Sequence, residues 1–234
     1  MLFSKNLRSK YYSYQGRKIS KKISQSKKKL INDFYDRFSF DQSIIQYHNQ
    51  KNIKQKLKFP DQFKKVNIEI GFGNGEFLIK NAISSPNELF IGIEVYLNGI
   101  AKVLTEIINL KLDNIILSNL NSFYFLETIS CKSVDRIFII NPDPWTKKRH
   151  HKRRVMSYET IKLLKKIVKS KNSIFMTTDS ESYIKDTERL LNKYKASFGS
   201  YKTCILSENN KLYGISRYQR KAIEKEGKIY LLTL

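Results

Sequence analysis

V-N-I-E-I-G-F-G-N-G-E-F, residues 66 to 77, is the stretch on which the fold turns. Val66 to Ile70 is a short run rich in β-branched residues. Gly71, Gly73 and Gly75 then stand at alternate positions before a helical pattern begins. Glycine tolerates positive φ and lets a ligand approach the backbone, so a strand, glycine turn and helix in this order point to a cofactor site, although such turns also serve packing. The spacing is G-x-G-x-G, with Glu76 where the dinucleotide fingerprint has its third glycine, which disfavours NAD.

The next strand, Leu89 to Val95, reads L-F-I-G-I-E-V and carries Glu94 about twenty residues beyond the glycine turn. Neighbouring parallel strands bring their carboxyl ends to one crevice, where a carboxylate reaches the two hydroxyls of a ribose. The alternative is that Glu94 caps the helix expected from Leu97 to Leu112. Further strands are expected at Asn114 to Ser118, Val134 to Ile140, Ser173 to Thr178, Thr203 to Leu206 and Lys228 to Leu234. Helical patterns run from Tyr158 to Val168, from Ser182 to Tyr194 and around Arg217 to Glu226. This alternation predicts an α/β fold with a mostly parallel, seven-stranded, doubly wound sheet. Residues 1–60 read as a basic N-terminal arm and helical appendage, partly amphipathic from Leu30 to Leu57, and 61–234 as the main domain.

Forty-four Lys and Arg against 21 Asp and Glu leave a net charge of +23, which makes a polyanion the default partner. Residues 1 to 32 hold ten Lys or Arg and no acid, interleaved with Tyr11, Tyr12 and Tyr14. Such an arm can lie along phosphates and stack on bases, and it can equally be a solvated tail. No run approaches the roughly 18 apolar residues of a membrane span, and the first residues lack a secretory apolar core, so a cytoplasmic protein is expected. Cys131 and Cys204 lie far apart with no C-x-x-C partner and read as inert core thiols. Adjacent His150 and His151 read as part of a basic surface and not as a metal site.

A second decisive stretch is I-I-N-P-D-P-W-T-K-K-R-H-H-K-R-R, residues 139 to 154. Its two prolines force the chain out of the sheet. Asp143 stands between them, the single Trp follows, and six of the eight residues 147 to 154 are Lys or Arg. A carboxylate at the mouth of a sheet beside a cationic loop suits a reaction centre for a polyanionic substrate. A turn-stabilising Asp in a solvated basic loop is the plainer alternative.

In order and spacing, E-I-G-F-G-N-G at 69–75, I-G-I-E-V at 91–95 and P-D-P-W-x-K-K-R-H-x-K-R-R at 142–154 resemble the bacterial tRNA (guanine-N7-)-methyltransferases. Arg8-Ser9 and Gln15 to Arg17 are similar to that family's N-terminal arm. The resemblance implies a Rossmann-like class I methyltransferase that uses S-adenosylmethionine to methylate a guanine in the tRNA variable loop. It implies donor binding by Glu69, by the turn Gly71, Gly73 and Gly75, and by Glu94, Asn121 and Asp143, with Asp143 also catalytic. Substrate contacts fall on Lys147, Asp179, Ser216, Arg217, Tyr218 and Gln219, and RNA binding on Arg149, His150, His151, Lys152, Arg153 and Arg154. No metal or membrane is implied, and both a monomer and a homodimer stay open. Asn121 stands where the family has Asp, and Ser216 to Gln219 replaces its T-x-x-E. Another nucleic-acid methyltransferase and a non-catalytic RNA-binding protein of the same fold are the competing readings.

Overall fold

In the computed structural model the described residues are 23–49, 56–206 and 228–234. Seven strands order as β3-β2-β1-β4-β5-β7-β6 in one sheet. They are β1 (Lys65–Ile70), β2 (Glu88–Ile93), β3 (Ile115–Ser118), β4 (Arg136–Ile140), β5 (Ile174–Thr178), β6 (Lys202–Ile205) and β7 (Tyr230–Thr233). The helices are α1 (Gln25–Phe34), α2 (Asp41–Asn49), α3 (Glu76–Ser84), α4 (Leu97–Leu110), α5 (Ser122–Glu127), α6 (Tyr158–Ile167), α7 (Glu181–Lys193) and α8 (Lys195–Phe198). The chain divides into two compact units at Ser130 and Cys131.

In the unit that ends at Ser130, β1 and β3 both pair with β2 in parallel, and β1 and β2 are buried along almost their whole length. Two-sided burial is why β2 reads as a near-continuous apolar run, whereas β1 alternates Val66, Ile68 and Ile70 with Asn67 and Glu69, polar residues that are buried all the same. The helix starting at Leu97 ends two residues earlier than its pattern suggests, because Lys111 turns into the left-handed region at φ 52° and closes the cap. The amphipathic stretch from Leu30 is broken: α1 stops at Phe34, and a 3-10 turn over Tyr35–Phe38 leads into α2. Ile31 and Tyr35 join Leu104 and Ile107 in a shared apolar cluster.

In the unit that begins at Cys131, β4 and β5 pair in parallel while β7 runs antiparallel to both β5 and β6. Ser157 and Ser180 cap α6 and α7 by accepting backbone N–H groups of Thr160 and Tyr183. Both cysteines are exposed, which corrects their reading as core thiols. Cys131 sits in a turn, and Cys204 lies on the sheet's edge strand, whose side chains are largely solvated.

Among the described residues no helix is long and apolar enough to cross a membrane, and no group of three or more His, Cys, Asp or Glu could hold a metal ion. The expected helix around Arg217 and most of the basic arm lie outside the described residues.

Candidate active site

Glu69 is the last but one residue of β1 and only 3% exposed. Its Oε2 is buried with no hydrogen-bond partner. Burial first, and the neighbouring Glu94 carboxylate second, push its pKa up to about 8. A buried carboxyl left with an open oxygen is costly unless something cationic or donating meets it.

Glu94 follows β2 and grips the glycine turn. Its Oε2 accepts the Gly73 N–H at 2.8 Å, and its Oε1 accepts the N–H groups of Val95 and Tyr96 at 2.7 and 3.0 Å. The acid therefore joins the turn after β1 to the start of α4. The three glycines do different things. Gly71 and Gly73 have positive φ and open space where a Cβ would stand, whereas a Cβ on Gly75 would meet Val103 Cγ2 at 2.0 Å. Gly75 belongs to the packing of α3 on α4, and the open cradle belongs to the other two.

Asn121, after β3, caps α5 by accepting the Phe123 N–H at 2.9 Å. Asn119 donates through Nδ2 to the Glu94 carbonyl at 2.9 Å, so the loops after β2 and β3 are bonded together. S-adenosylmethionine fits the strand ends of this unit on two observations, the open cradle at Gly71 and Gly73 and the unpartnered oxygen of Glu69, which suits a cationic ligand.

The Pro-Asp-Pro turn lies after β4 in the second unit. Asn141 and Trp145, which bracket it, both have φ of 46°. Asn visits this region readily; a Trp there is strained, and strain of this kind is kept where the surroundings enforce it. Thr177 and Asn141 exchange side-chain and backbone bonds of 3.0 to 3.3 Å, which tie the end of β4 to β5. Asp143, Lys147 and Asp179 are all exposed, and Asp179 immediately follows β5.

The cationic loop is a 3-10 helix over Lys148–Arg153 and not an open turn. It also does not present all its cations. Arg154 is 7% exposed and donates to the Pro144 carbonyl at 2.8 Å, to Ser182 Oγ at 3.1 Å and to Asp186 at 2.6 Å. Its guanidinium lies 4.6 Å over the ring of Tyr183. Burial foremost pushes the Tyr183 phenol up to about 12, with Asp143 adding to the shift. His151 Nδ1 is 3.0 Å from the same Asp186. Arg154 and His151 thus leave the expected RNA-facing run and anchor it to α7.

Arg149, Lys152 and Arg153 stay exposed, with Arg153 5.0 Å over Trp145. His150 meets Trp145 edge-on at 5.8 Å. Desolvation and the cations Arg153, Arg149, Lys147 and Lys152 lower its pKa. Ser216, Arg217, Tyr218 and Gln219 lie outside the described residues. Tyr183, Ser182 and Asp186 gave no signal in the sequence, since α7 reads as an ordinary amphipathic helix.

Arg154→Met is expected to cost about 1–3 kcal/mol of stability, because it takes the donor from the Pro144 carbonyl and one partner from Asp186, which keeps Arg189 and His151. Urea denaturation checks this, and an unfolding free energy within about 0.5 kcal/mol of wild type would show that the anchor is dispensable.

Residues 63–232 match a family model described as "Putative methyltransferase". The chain is 32% identical over 207 residues to a bifunctional methyltransferase of Rickettsia prowazekii, covering 88% of this chain and 37% of that protein's length. It is 31% identical over 188 residues to the tRNA (guanine-N(7)-)-methyltransferase of Wolbachia pipientis, covering 80% of this chain and 82% of the relative. The structure of an antibiotic-related methyltransferase superposes with a TM-score of 0.53 at 17% identity, covering 91% of this chain and 95% of that one, and shares the fold. With the family model spanning most of the sequence and the Wolbachia relative matched along most of its own length, the chain belongs to the tRNA (guanine-N(7)-)-methyltransferase family.

Proposed function

We propose that this protein transfers a methyl group from S-adenosylmethionine to N7 of a guanine in the variable loop of tRNA, in the cytoplasm. One observation carries the reading: an acid or Asn stands at the carboxyl end of each of the first five strands, in the series Glu69, Glu94, Asn121, Asp143 and Asp179. Ligands of doubly wound sheets bind at those ends. When bound, S-adenosylmethionine supplies an electrophilic methyl on a sulfonium. Glu69 holds the cationic methionine end, Glu94 and the Gly71–Gly73 cradle take the ribose side, and Asn121 accompanies the adenine.

Guanine N7 presents an in-plane lone pair, so no proton has to leave before attack and no strong general base is required. The site must instead align nucleophile and methyl carbon, which is catalysis by proximity and orientation. Asp143 stabilises the positive charge that develops on the purine and holds its exocyclic amine in register. Asp179 and Lys147 add substrate contacts, as do Ser216 to Gln219.

Lys147, Arg149, His150, Lys152 and Arg153, with the basic arm within residues 1–60, grip the tRNA backbone, so that recognition rests on RNA shape more than sequence. Binding to tRNA is expected to weaken about 100-fold or more between 50 and 200 mM salt in a filter-binding titration. A flat salt profile would remove the clamp. The deciding experiment is nucleoside analysis of unmodified tRNA incubated with the protein and labelled S-adenosylmethionine. Label in 7-methylguanosine supports the proposal, label in another base makes the protein a different nucleic-acid methyltransferase, and none leaves an RNA-binding protein.

A further inference from the structure

The segment that precedes the sheet carries a buried acid with no part in the chemistry above. Asp41 opens α2 and is 5% exposed. Its Oδ2 accepts the Tyr35 hydroxyl at 2.7 Å and the Asn119 N–H at 2.9 Å, and its Oδ1 accepts the Ser118 hydroxyl at 2.5 Å. Ser39 bridges to Leu117 alongside, in a parallel β-bridge. Burial raises the Asp41 pKa, and the bonds from Ser118, Tyr35 and Asn119 oppose that shift.

Two of those three donors belong to the end of β3, two and three residues ahead of Asn121. The connection continues past them. Asn119 donates its side-chain amide to the Glu94 carbonyl at 2.9 Å, and the Glu94 N–H donates to the Ser118 carbonyl at 2.9 Å. On the far side of Asn121, His48 of the same α2 bonds the Tyr124 carbonyl at 2.9 Å. Lys56 bonds the Glu127 carbonyl at the end of α5 at 2.5 Å. The loop that carries Asn121 is therefore braced at both ends by residues from outside the sheet.

An apolar residue would fill this interior at less cost than a carboxylate. What only a carboxylate supplies is acceptors for one backbone N–H and two hydroxyls at once.

We propose that Asp41 is a positioning residue for the methyl-donor site: through Ser118 and Asn119 it sets the loop between β3 and α5, and through Asn119 the backbone of Glu94, so that donor affinity depends on how α1 and α2 are docked. The inference rests on the functional reading above. Asn at position 41 can keep one oxygen for the Tyr35 hydroxyl and the Asn119 N–H, but its NH2 then faces Ser118, whose hydroxyl loses its acceptor, so the loop shifts while Glu94 and Asn121 keep their chemistry.

The test measures S-adenosylmethionine affinity by calorimetry, KM for each substrate, kcat and Tm on wild type, Asp41→Asn and Leu191→Ala, a core truncation in α7 of the other unit. Asp41→Asn is expected to raise Kd and KM for S-adenosylmethionine about tenfold, with kcat at saturating donor and KM for tRNA within twofold. Leu191→Ala lowers Tm and leaves donor affinity unmoved. If Asp41→Asn behaves like Leu191→Ala, losing Tm with donor affinity within twofold of wild type, the proposal is overturned. Should Asp41→Asn fail to fold, Ser118→Ala takes its place, with about a threefold loss of donor affinity supporting the proposal and no loss overturning it. Wild-type protein that binds no S-adenosylmethionine overturns the functional reading itself, and this inference with it.

Discussion

Asp143→Asn is expected to lower kcat for methyl transfer by about 10²- to 10³-fold while leaving donor affinity within a few fold. The size follows from what the residue faces when charge moves. Positive charge leaves sulfur and settles on the purine, so an interaction made with that charge is stronger in the transition state than in the ground state. The backbone around Asp143 is held by left-handed Asn141 and Trp145, by the Asn141–Thr177 pair and by Arg154 on the Pro144 carbonyl. Asp143 itself is exposed, so Asn in its place leaves the fold intact and Tm close to wild type. Single-turnover methyl transfer with saturating tRNA measures the effect, and a variant within tenfold of wild type would take the catalytic role from Asp143.

Glu69→Gln carries the second large effect, and it has two opposite faces. Donor affinity is expected to fall about 100-fold, because a carboxylate facing a cation is replaced by a neutral amide. Stability of the ligand-free protein moves the other way. A carboxyl raised from 4.5 to about 8 favours folding fully below 4.5, and that contribution is lost as pH rises through 8. Unliganded wild type thus loses stability across this window, whereas Gln has nothing to ionise. At pH 8 the variant is expected to unfold several degrees higher than wild type, a gap worth on the order of a few kcal/mol.

The same proton enters binding. A cationic donor selects the ionised carboxyl, so wild-type affinity rises with pH, approaching about tenfold per unit below pH 8, and the slope attributable to Glu69 vanishes in Glu69→Gln. Calorimetry at three pH values reads both. Equal slopes in the two proteins would show that Glu69 does not meet the donor's charge.

Strand and helix positions were legible because they follow from local chemistry. Val66 to Ile70 is marked as a strand by its β-branched residues Val66, Ile68 and Ile70. The glycines at 71, 73 and 75 mark a turn with positive φ, and the prolines at 142 and 144 end β4. In each case the signal and its cause lie within a few residues of each other. The same holds for the order of acids along the strand ends.

Burial of a polar side chain is a different kind of fact. Nothing within a few residues of Arg154 separates it from Arg153, yet one is enclosed by Pro144, Ser182, Tyr183 and Asp186 and the other lies open over Trp145. Asp41 falls within the stretch that reads only as a partly amphipathic appendage, and its partners Ser118 and Asn119 stand 77 and 78 positions away. Cys131 and Cys204 fail in the opposite direction, as apolar residues left outside by a turn and an edge strand. By itself the sequence determined the elements, the glycine cradle and which groups line the strand ends. Only the tertiary structure decided which charges are anchors and which stay exposed, because a charge goes inside when distant donors or acceptors converge on it, and that convergence is a property of the folded chain.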